Sequence, residues 1–416
     1  MTYSIVRRLF IITSLMVSLA EAKKVVLYVD HATSPTMQQL MHFAEHAHEK
    51  ETAFAFAFNR IQLEPELLSA LPEIFIAPAK QEIPFNDYLL SLLPKYPEGL
   101  ELELHSNLHL SYTNIKPLIP LMLENKNIKL NHLYLYDDGS IEYESFEKIR
   151  DKDIANHLEK QYKIFSDFVH QNIDPQTQTT EYDYLLRHVY PAFFPTTYYY
   201  LRPDYVEKEA FLQPLRDFYK KHQATIATPN PKRFSEMSQE QQNFYLKLIK
   251  TERSILNDFT DQQPNYVFIG TNENAWNNPN VEKAAQYQAN LLKHYVDPKG
   301  QFYVGEGVKV FYKGHPAAKE LNKMVMEKVP NVTEIPAHIS FGTLLMLNAD
   351  IDRVMGMQST IFLGLPPEQI GELFFTDKQG EKREDIFEAP LVKIFKKLNN
   401  LKDEQIQKVE DLPLLD

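Results

Sequence analysis

From residue 24 onward, short apolar runs alternate with segments in which apolar residues recur at helical spacing. Apolar runs of this length, bounded by polar turns, predict buried strands. In the first half, strands are expected at 25–29, 53–58, 73–77, 100–105 and 129–136, with helices near 35–47, 64–71, 86–93 and 114–124. This alternation predicts a parallel sheet with helices on both faces.

The second half of the chain repeats the pattern after a long middle region. Strands are expected at 266–269, 308–312, 333–335, 354–355 and 373–375, with helices near 281–296, 318–329 and 341–347. The middle region, 151–253, is mostly helical and aromatic-rich, and prolines break it between 191 and 203. The predicted fold is therefore α/β, with two Rossmann-like doubly wound domains that face a cleft.

The same patterns predict the domain limits. The first domain is expected over 23–180 and the second over 181–388, which suits a chain of 416 residues at roughly 100–200 residues per domain. Residues 389–416 are expected to form a helical tail that returns to the first domain.

The first 22 residues follow a different pattern. A basic start that ends in Arg7-Arg8 precedes an apolar run over 9–20, which closes on Ala20-Glu21-Ala22. This order predicts a cleaved secretory signal. The apolar run is shorter than the ~20 residues that cross a bilayer as a helix. The alternative is a short uncleaved anchor.

Composition excludes several classes of function. The 44 Lys+Arg against 56 Asp+Glu give a net charge of −12, which argues against a nucleic-acid partner. Cysteine is absent, which excludes disulfides, thiolate metal sites and cysteine nucleophiles. No GxGxxG or GxxxxGK[ST] string occurs, so a glycine-rich phosphate loop is not expected.

A pair of aspartates follows the predicted strand that ends at Tyr136. Parallel sheets bind ligands at the carboxyl ends of their strands, so Asp137 is expected to lie over the cleft. Partial burial there would raise its pKa toward that of a useful general base. The alternative is a plain turn, because Asp-Gly is common turn chemistry.

Two further motifs follow strands of the second half. Lys313-Gly314-His315-Pro316 places a histidine at a strand end, where it could donate a proton to a leaving group. Ser359-Thr360 precedes an expected apolar helix, where hydroxyls and free N–H groups can bind phosphate. A structural histidine and a simple helix cap are the respective alternatives.

Trp276 is the only tryptophan, and it stands in a polar loop rich in asparagine. Stacking of its ring on a sugar or a base would explain a large aromatic side chain in such a loop. Packing on the helix that follows is an equally good explanation.

Together these motifs resemble the bacterial family 80 sialyltransferases of the Pasteurella and Photobacterium type. The resemblance covers nearly all of the chain after the N-terminal segment. It is carried by Leu27-Tyr-Val-Asp30, Leu135-Tyr-Asp137-Asp-Gly-Ser140, Glu142-Tyr143, Phe211-Leu-Gln-Pro214-Leu215, Gly270-Thr271 with Trp276, Lys313-Gly-His315-Pro316, Ile335-Pro-Ala-His-Ile-Ser340-Phe341 and Ser359-Thr360.

The resemblance implies a GT-B fold and an inverting transfer of sialic acid from CMP-sialic acid to a galactoside, such as a lipooligosaccharide-type glycan. It implies no metal and no other cofactor, and a monomer is expected. With the N-terminal segment, it implies a bacterial enzyme that is exported or associated with the envelope. An uncleaved segment would instead hold it at the inner membrane, facing the cytoplasm.

The resemblance also assigns roles to residues. Asp137 would be the general base, and His315 would donate to the departing CMP phosphate. The donor side would comprise the phosphate pair Ser359 and Thr360, together with Lys313, Gly314, Pro316, Gly270 and Thr271. The acceptor side would comprise Trp276, Arg60, Asp30, Thr33 and Asp138.

The sequence departs from the family pattern in three places. Gly342 replaces a glutamate that holds the ribose, which leaves open a donor other than CMP-sialic acid. His109 stands one position earlier than the family's acceptor histidine, and such a shift on a strand turns a side chain to the other face. Thr360 replaces a serine and keeps the hydroxyl.

Two alternatives to sialyl transfer therefore stay open. One is transfer of another CMP-activated 2-keto sugar acid, and the other is a non-catalytic carbohydrate-binding protein on the same fold. No motif distinguishes α2,3 from α2,6 linkage.

Overall fold

The computed structural model describes residues 21–30, 32–59, 61–69, 71, 73–78, 84–174, 183–230, 232–259, 262–272, 280–376, 387, 390–399 and 401–415. Most of the predicted N-terminal segment, Arg60 and Trp276 lie outside the described residues. Within the described ranges, no helix combines the length and the apolar character needed to cross a bilayer.

The first sheet has seven parallel strands in the order β3-β2-β1-β4-β5-β6-β7. They are β1 (Lys23–Asp30), β2 (Thr52–Phe58), β3 (Ile74–Ile76), β4 (Leu100–Asn107), β5 (Ile128–Tyr136), β6 (Thr196–Tyr199) and β7 (Thr225–Ala227). The helices of this part are α1 (Thr33–His46), α2 (Pro65–Leu68), α3 (Asn86–Leu92), α4 (Ser111–Ile115), α5 (Leu118–Glu124), α6 (Ser140–Lys148), α7 (Ile154–Gln171), α8 (Pro203–Lys208), α9 (Gln213–Lys221), α10 (Arg233–Glu236) and α11 (Gln239–Leu248).

The apolar run of β1 explains why helices cover both faces of this sheet. Val25 and Leu27 enter one buried cluster, while Val26 and Tyr28 enter another on the opposite face. Successive side chains of a strand point to opposite faces, so a continuous apolar run must be covered on both sides.

The second sheet has six parallel strands in the order β10-β9-β8-β11-β12-β13. They are β8 (Asn265–Ile269), β9 (Lys309–Lys313), β10 (Thr333–Ile335), β11 (Arg353–Met357), β12 (Ile370–Phe375) and β13 (Ile406–Lys408). The helices are α12 (Val281–Val296), α13 (Lys319–Lys328), α14 (Phe341–Met346) and α15 (Pro390–Asn399). The prediction of two doubly wound, Rossmann-like domains is confirmed.

The sheet order corrects the boundary expected at residue 180. Strands β6 and β7 belong to the first sheet, so this sheet extends to Ala227. These strands have only four and three residues and lie among prolines and helices, which leaves no apolar run to reveal them.

The tail after residue 389 contacts both halves of the chain. Helix α15 packs against α6 of the first part, and β13 then adds an edge strand to the second sheet beside β12. The residue pattern predicts the helix here but not the strand, which is only three residues long.

Candidate functional site

Both sheets have a point at which the strand order reverses, between β1 and β4 in the first and between β8 and β11 in the second. Ligands of doubly wound sheets bind in the crevice beyond the carboxyl ends of the strands at such points. Asp30 and Asn107 end the two strands of the first crevice. Gly270 and Ser359 follow the two strands of the second.

Asp137 follows β5, next to the crevice of the first sheet, and is only 4% exposed. Its Oδ1 accepts the N–H of Gly139 at 2.8 Å. Its Oδ2 accepts the hydroxyl of Tyr143 at 2.5 Å and the N–H of Leu201 at 3.1 Å. The carboxyl group is thus oriented by three donors from three different parts of the chain.

Burial sets the acidity of Asp137. Removal from water raises the pKa of this carboxyl to about 7, although the bonds from Tyr143 and from the N–H groups of Gly139 and Leu201 lower it. The nearby carboxylate of Glu142 raises it further. A carboxylate with a pKa near neutrality is well matched to general-base catalysis.

Glu142 itself stays ionised because the guanidinium group of Arg187 and the ring of His188 lie against its carboxylate. Its carboxylate lies 2.8 Å from Nη2 of Arg187 and 2.8 Å from Nε2 of His188, and these contacts lower its pKa to about 2 despite complete burial. This buried group lies close enough to raise the pKa of Asp137, and its pairing with Arg187 was not predicted, because the two residues are 45 positions apart along the chain.

The loop after β5 meets the loop after β11. Gly139 has a φ of +115° and lies against the side chain of Thr360. This contact brings the loop that contains Asp137 to the start of the Thr360–Gly364 turn. Asp138, which follows Asp137, is half-buried at the same edge.

Ser359 and Thr360 begin a 3-10 helix of five residues, Thr360–Gly364, and not the longer helix expected from the apolar run. Oγ of Ser359 accepts the N–H of Ile361 at 3.4 Å, so this N–H is already used inside the turn.

His315 follows β9, and Nδ1 of its ring accepts the N–H of Ala317 at 3.2 Å. A ring nitrogen that accepts this bond carries no proton, so the neutral ring has its N–H at Nε2. The bond from Ala317 therefore fixes which nitrogen of His315 can donate. Pro316 is exposed beside it.

Lys313 ends β9 and is buried. Its Nζ donates to the carbonyl oxygen of Gly314 at 2.8 Å and to that of Ala337 at 3.2 Å. Burial lowers the pKa of this ammonium group to about 8, partly offset by Glu334. Gly314 has to be glycine here, because a Cβ would lie 2.3 Å from the side chain of Asn322.

Gly270 and Thr271 follow β8 and are fixed by Gln288. The N–H of Thr271 donates to Oε1 of Gln288 at 3.0 Å, and Nε2 of Gln288 donates to the carbonyl oxygen of Thr271 at 3.1 Å. This paired contact holds the start of the loop that leads toward Trp276.

Asp30, which ends β1, is fully buried. Its Oδ1 accepts the N–H of Ala32 at 2.6 Å and its Oδ2 accepts the amide of Gln39 at 2.9 Å. Thr33 begins α1 and is half-buried. Both lie beyond the carboxyl end of β1, and Asp30 shapes the turn that enters α1.

The interpretation that His109 turns to the other face is wrong, because β4 ends at Asn107 and the alternation of a strand stops there. His109 is exposed, and its Nδ1 lies 3.4 Å from Nη1 of Arg187. Oδ1 of Asn107 accepts the N–H of His109 at 2.8 Å and fixes the loop.

Gly342 lies in α14 and is exposed. A Cβ placed there would meet only Oγ of Ser340, at 3.7 Å. The position therefore has room for a larger side chain. Across the described part of the chain, no three His, Asp or Glu side chains converge to form a metal site.

Solved structures of sialyltransferases are similar to this chain over most of its length. A 2,6-sialyltransferase of Photobacterium sp. JT-ISH-224, in a ternary complex with CMP and lactose, is 27% identical, with a TM-score of 0.84 over 94% of this chain and 80% of that chain. A sialyltransferase of Photobacterium damsela is 25% identical, with a TM-score of 0.83 over 93% of this chain and 82% of that chain.

An α-2,3-sialyltransferase of Photobacterium phosphoreum is 22% identical, with a TM-score of 0.77 over 94% of this chain and 100% of that chain, and it supports the fold alone. The similar structures include one described as the GT-B domain of a Photobacterium damselae sialyltransferase, which agrees with the GT-B fold expected here. No curated protein sequence matches the chain.

Residues 25–405 match the family described as sialyltransferase PMO188. The match includes both crevices, the buried Asp137 and the motifs at the ends of β8, β9 and β11. The chain therefore belongs to this sialyltransferase family and is a glycosyltransferase.

Proposed function

We propose that this enzyme transfers sialic acid from CMP-sialic acid to a galactoside with inversion at the anomeric carbon. The observation that carries the proposal is Asp137, a buried carboxyl with a pKa of about 7 that lies two residues before Gly139, where the first half meets Thr360 of the second. The similar structure with CMP and lactose bound supports the choice of both substrates.

Asp137 would accept the proton of the acceptor hydroxyl at Oδ1. Oδ2 already accepts two bonds, whereas Oδ1 accepts only the N–H of Gly139 and keeps a lone pair. As the proton moves to Oδ1, the acceptor oxygen bonds to the anomeric carbon. The bond from that carbon to the phosphate oxygen breaks, and CMP leaves with the electron pair.

Inversion requires the base and the leaving group on opposite sides of the reacting carbon. Asp137 belongs to the first half, and the proposed phosphate contacts Ser359 and Thr360 belong to the second. Two hydroxyls, the N–H of His315 and the ammonium group of Lys313 would offset the charge that develops on a single phosphate, so a metal ion is not required.

His315 would act as a hydrogen-bond donor to the departing phosphate. Full proton transfer from Nε2 would require the imidazolium form and would leave its second proton on Nδ1, opposite the N–H of Ala317. Donation of a hydrogen bond keeps the favoured tautomer. The contact with Ala317 therefore supports stabilisation of the phosphate over proton transfer to it.

Gly342 supports a second candidate, another CMP-activated 2-keto sugar acid as donor. The space beside it accommodates a side chain that this protein lacks, so a ribose contact expected from the family is missing. We propose CMP-sialic acid first, because relatives across nearly the whole chain are sialyltransferases.

A donor panel tests the proposal. The chain from Lys23 onward is incubated with lactose and either CMP-sialic acid or CMP-Kdo, with and without EDTA, and products are identified by mass spectrometry. Asp137→Asn is the matched control. Sialyllactose and free CMP in EDTA are the expected result, whereas product only with CMP-Kdo supports the second candidate. Loss of activity in EDTA that Mg²⁺ restores would contradict the metal-free mechanism.

A further inference from the structure

Two bonds that orient the base come from one short segment, Leu201-Arg202. The N–H of Leu201 donates to Oδ2 of Asp137 at 3.1 Å, and the N–H of Arg202 donates to the hydroxyl of Tyr143 at 2.8 Å. Because a backbone N–H can only donate, the Tyr143 oxygen accepts there. Its own proton must then point at Asp137, 2.5 Å away.

The side chain of Arg202 ties this segment to the C-terminal helix α15. Its Nη2 donates to the carbonyl oxygen of Leu398 at 2.5 Å. Its Nε and Nη2 also donate to the two carboxylate oxygens of Asp204 at 3.0 Å each, and this paired contact fixes the orientation of the guanidinium group. An ion pair between Lys397 and Glu209 adds a second tie between the same two parts of the chain.

Helix α15 also contacts the phosphate side of the site. The ring of Phe395 packs edge-on against that of Phe362, with centroids 6.4 Å apart. Phe362 lies in the short helix that Thr360 begins. One helix thus touches the turn after the phosphate hydroxyls and, through Arg202, the bonds that orient the base.

We propose that Arg202 is a positioning residue. It couples the position of α15 to the orientation of the Asp137 carboxyl group, because its segment bonds to Asp137 through Leu201 and to Tyr143. The inference rests on the proposed role of Asp137 as base. A shift of α15 relative to Arg202 would move the 201–202 segment and weaken two of the three contacts at the carboxyl group. The Asp137 carboxyl group would then have its full set of orienting bonds only when α15 is packed against both halves.

A measurement of the Asp137 titration reports on this coupling. The titratable groups that act on Asp137 from the elements around it are Tyr143 and Glu142 on α6, and Tyr200 lies at the end of β6. Glu142 keeps its partners Arg187 and His188, neither of which contacts Arg202 in the described hydrogen bonds. Weaker bonds from Tyr143 and Leu201 would raise the pKa of Asp137.

Arg202→Met is the test variant, because it keeps an unbranched apolar stem and removes the donors of the side chain. Arg216→Met is the matched control, since Arg216 donates to the carbonyl oxygens of Val206 and Glu209 in the neighbouring segment and has no bond to Tyr143. The carboxyl carbon of Asp137 is followed by NMR in full-length protein labelled with [γ-¹³C]aspartate, and Asp137→Asn assigns the signal.

The expected result is a titration midpoint for Asp137 about one pH unit higher in Arg202→Met, with no change in Arg216→Met. Tyr143→Phe should shift the midpoint in the same direction, and the double variant should shift it by less than the sum. A midpoint in folded Arg202→Met equal to that of the control would overturn the inference. Because this readout needs no substrate, it stays informative if the enzyme proves not to transfer sialic acid.

Kinetics give an independent readout. With CMP-sialic acid and lactose, kcat of Arg202→Met at pH 7 should fall about fivefold and recover at higher pH, with an unchanged KM for the donor. A uniform loss at every pH, or a raised KM alone, would contradict the positioning role. Arg202→Lys retains one donor toward Leu398 and should restore part of the shift.

Discussion

A Cβ on Gly139 would lie only 2.4 Å from Cβ of Thr360. The two residues belong to opposite halves of the chain, one in the loop after β5 and the other in the loop after β11. Glycine is therefore required at 139 for two reasons, its positive φ and the approach of a rigid β-branched side chain. At this contact the loop that follows Asp137 meets the loop that contains Ser359 and Thr360.

Gly139→Ala should disable the enzyme. The backbone at φ +115° disfavours any Cβ, which costs about 1–3 kcal/mol, and the contact with Thr360 cannot close. We expect a lower melting temperature, kcat reduced by at least roughly tenfold and weaker binding of CMP. Gly364→Ala is the control, because a Cβ at Gly364 has no atom within 4 Å. Equal activity of the two variants would show that the loops need not meet.

Asp137→Asn should change how stability depends on pH. In the folded protein, burial raises the pKa of Asp137 from 3.8 to about 7, so its ionisation disfavours the fold. The stability that the protonated form contributes is present at low pH and is lost as pH rises toward 7, at about 1.4 kcal/mol per pH unit. Asparagine cannot ionise and avoids this loss.

The measurement is thermal unfolding of wild type and Asp137→Asn at pH values of about 5 and about 8. The variant should be relatively more stable at the higher pH. The variant should also be destabilised by an amount that does not depend on pH, because the Asn amide oxygen can accept only some of the three donors around it. A difference in melting temperature that is the same at both pH values would mean that the pKa of Asp137 is not raised.

His315→Ala separates the two roles of a histidine at the leaving group. If His315 donates a hydrogen bond from Nε2, as the bond from Ala317 indicates, kcat should fall by a similar factor across the pH range. If it transfers a proton, the alkaline limb of the wild-type profile should disappear in the variant. Loss of that limb would overturn the hydrogen-bond role.

Gly342→Glu should strengthen donor binding. The position is open, so the side chain fits without displacing the backbone. A charge-assisted hydrogen bond to the ribose would increase the affinity for CMP by about ten- to a hundredfold. The helix should also gain stability from the loss of glycine, and Gly342→Ala measures that effect alone. Titration calorimetry that finds equal affinities for CMP would mean that another group holds the ribose.

The central strands and the position of Asp137 at a strand end could be predicted from residue patterns because both signals are local. The run from Val25 to Val29 is apolar on both faces, and Asp137 directly follows such a run. The ends of parallel strands meet at one edge, so strand order alone brings Asp137, His315 and Ser359 to the two crevices.

The contacts that tune the base could not be predicted in this way. Leu201 reaches Asp137 from 64 positions away, and its contribution is a backbone N–H that leaves no mark in the sequence. Strands β6 and β7, which place that segment, are too short for an alternating pattern. The orientation of His109 could not be predicted from strand alternation, because β4 ends at Asn107 and the alternation does not extend to this residue.

The most direct test of the proposed mechanism is the rate of sialyllactose formation from CMP-sialic acid and lactose, compared between wild type and Asp137→Asn across a range of pH. Wild-type kcat should rise with pH through a midpoint near 7, where the buried carboxyl ionises. Asp137→Asn should lose this limb and fall by ~10²–10⁴-fold, as removal of a general base does. A folded variant that works within a few-fold of wild type, or that keeps the same acidic limb, would contradict the assignment of Asp137 as the base.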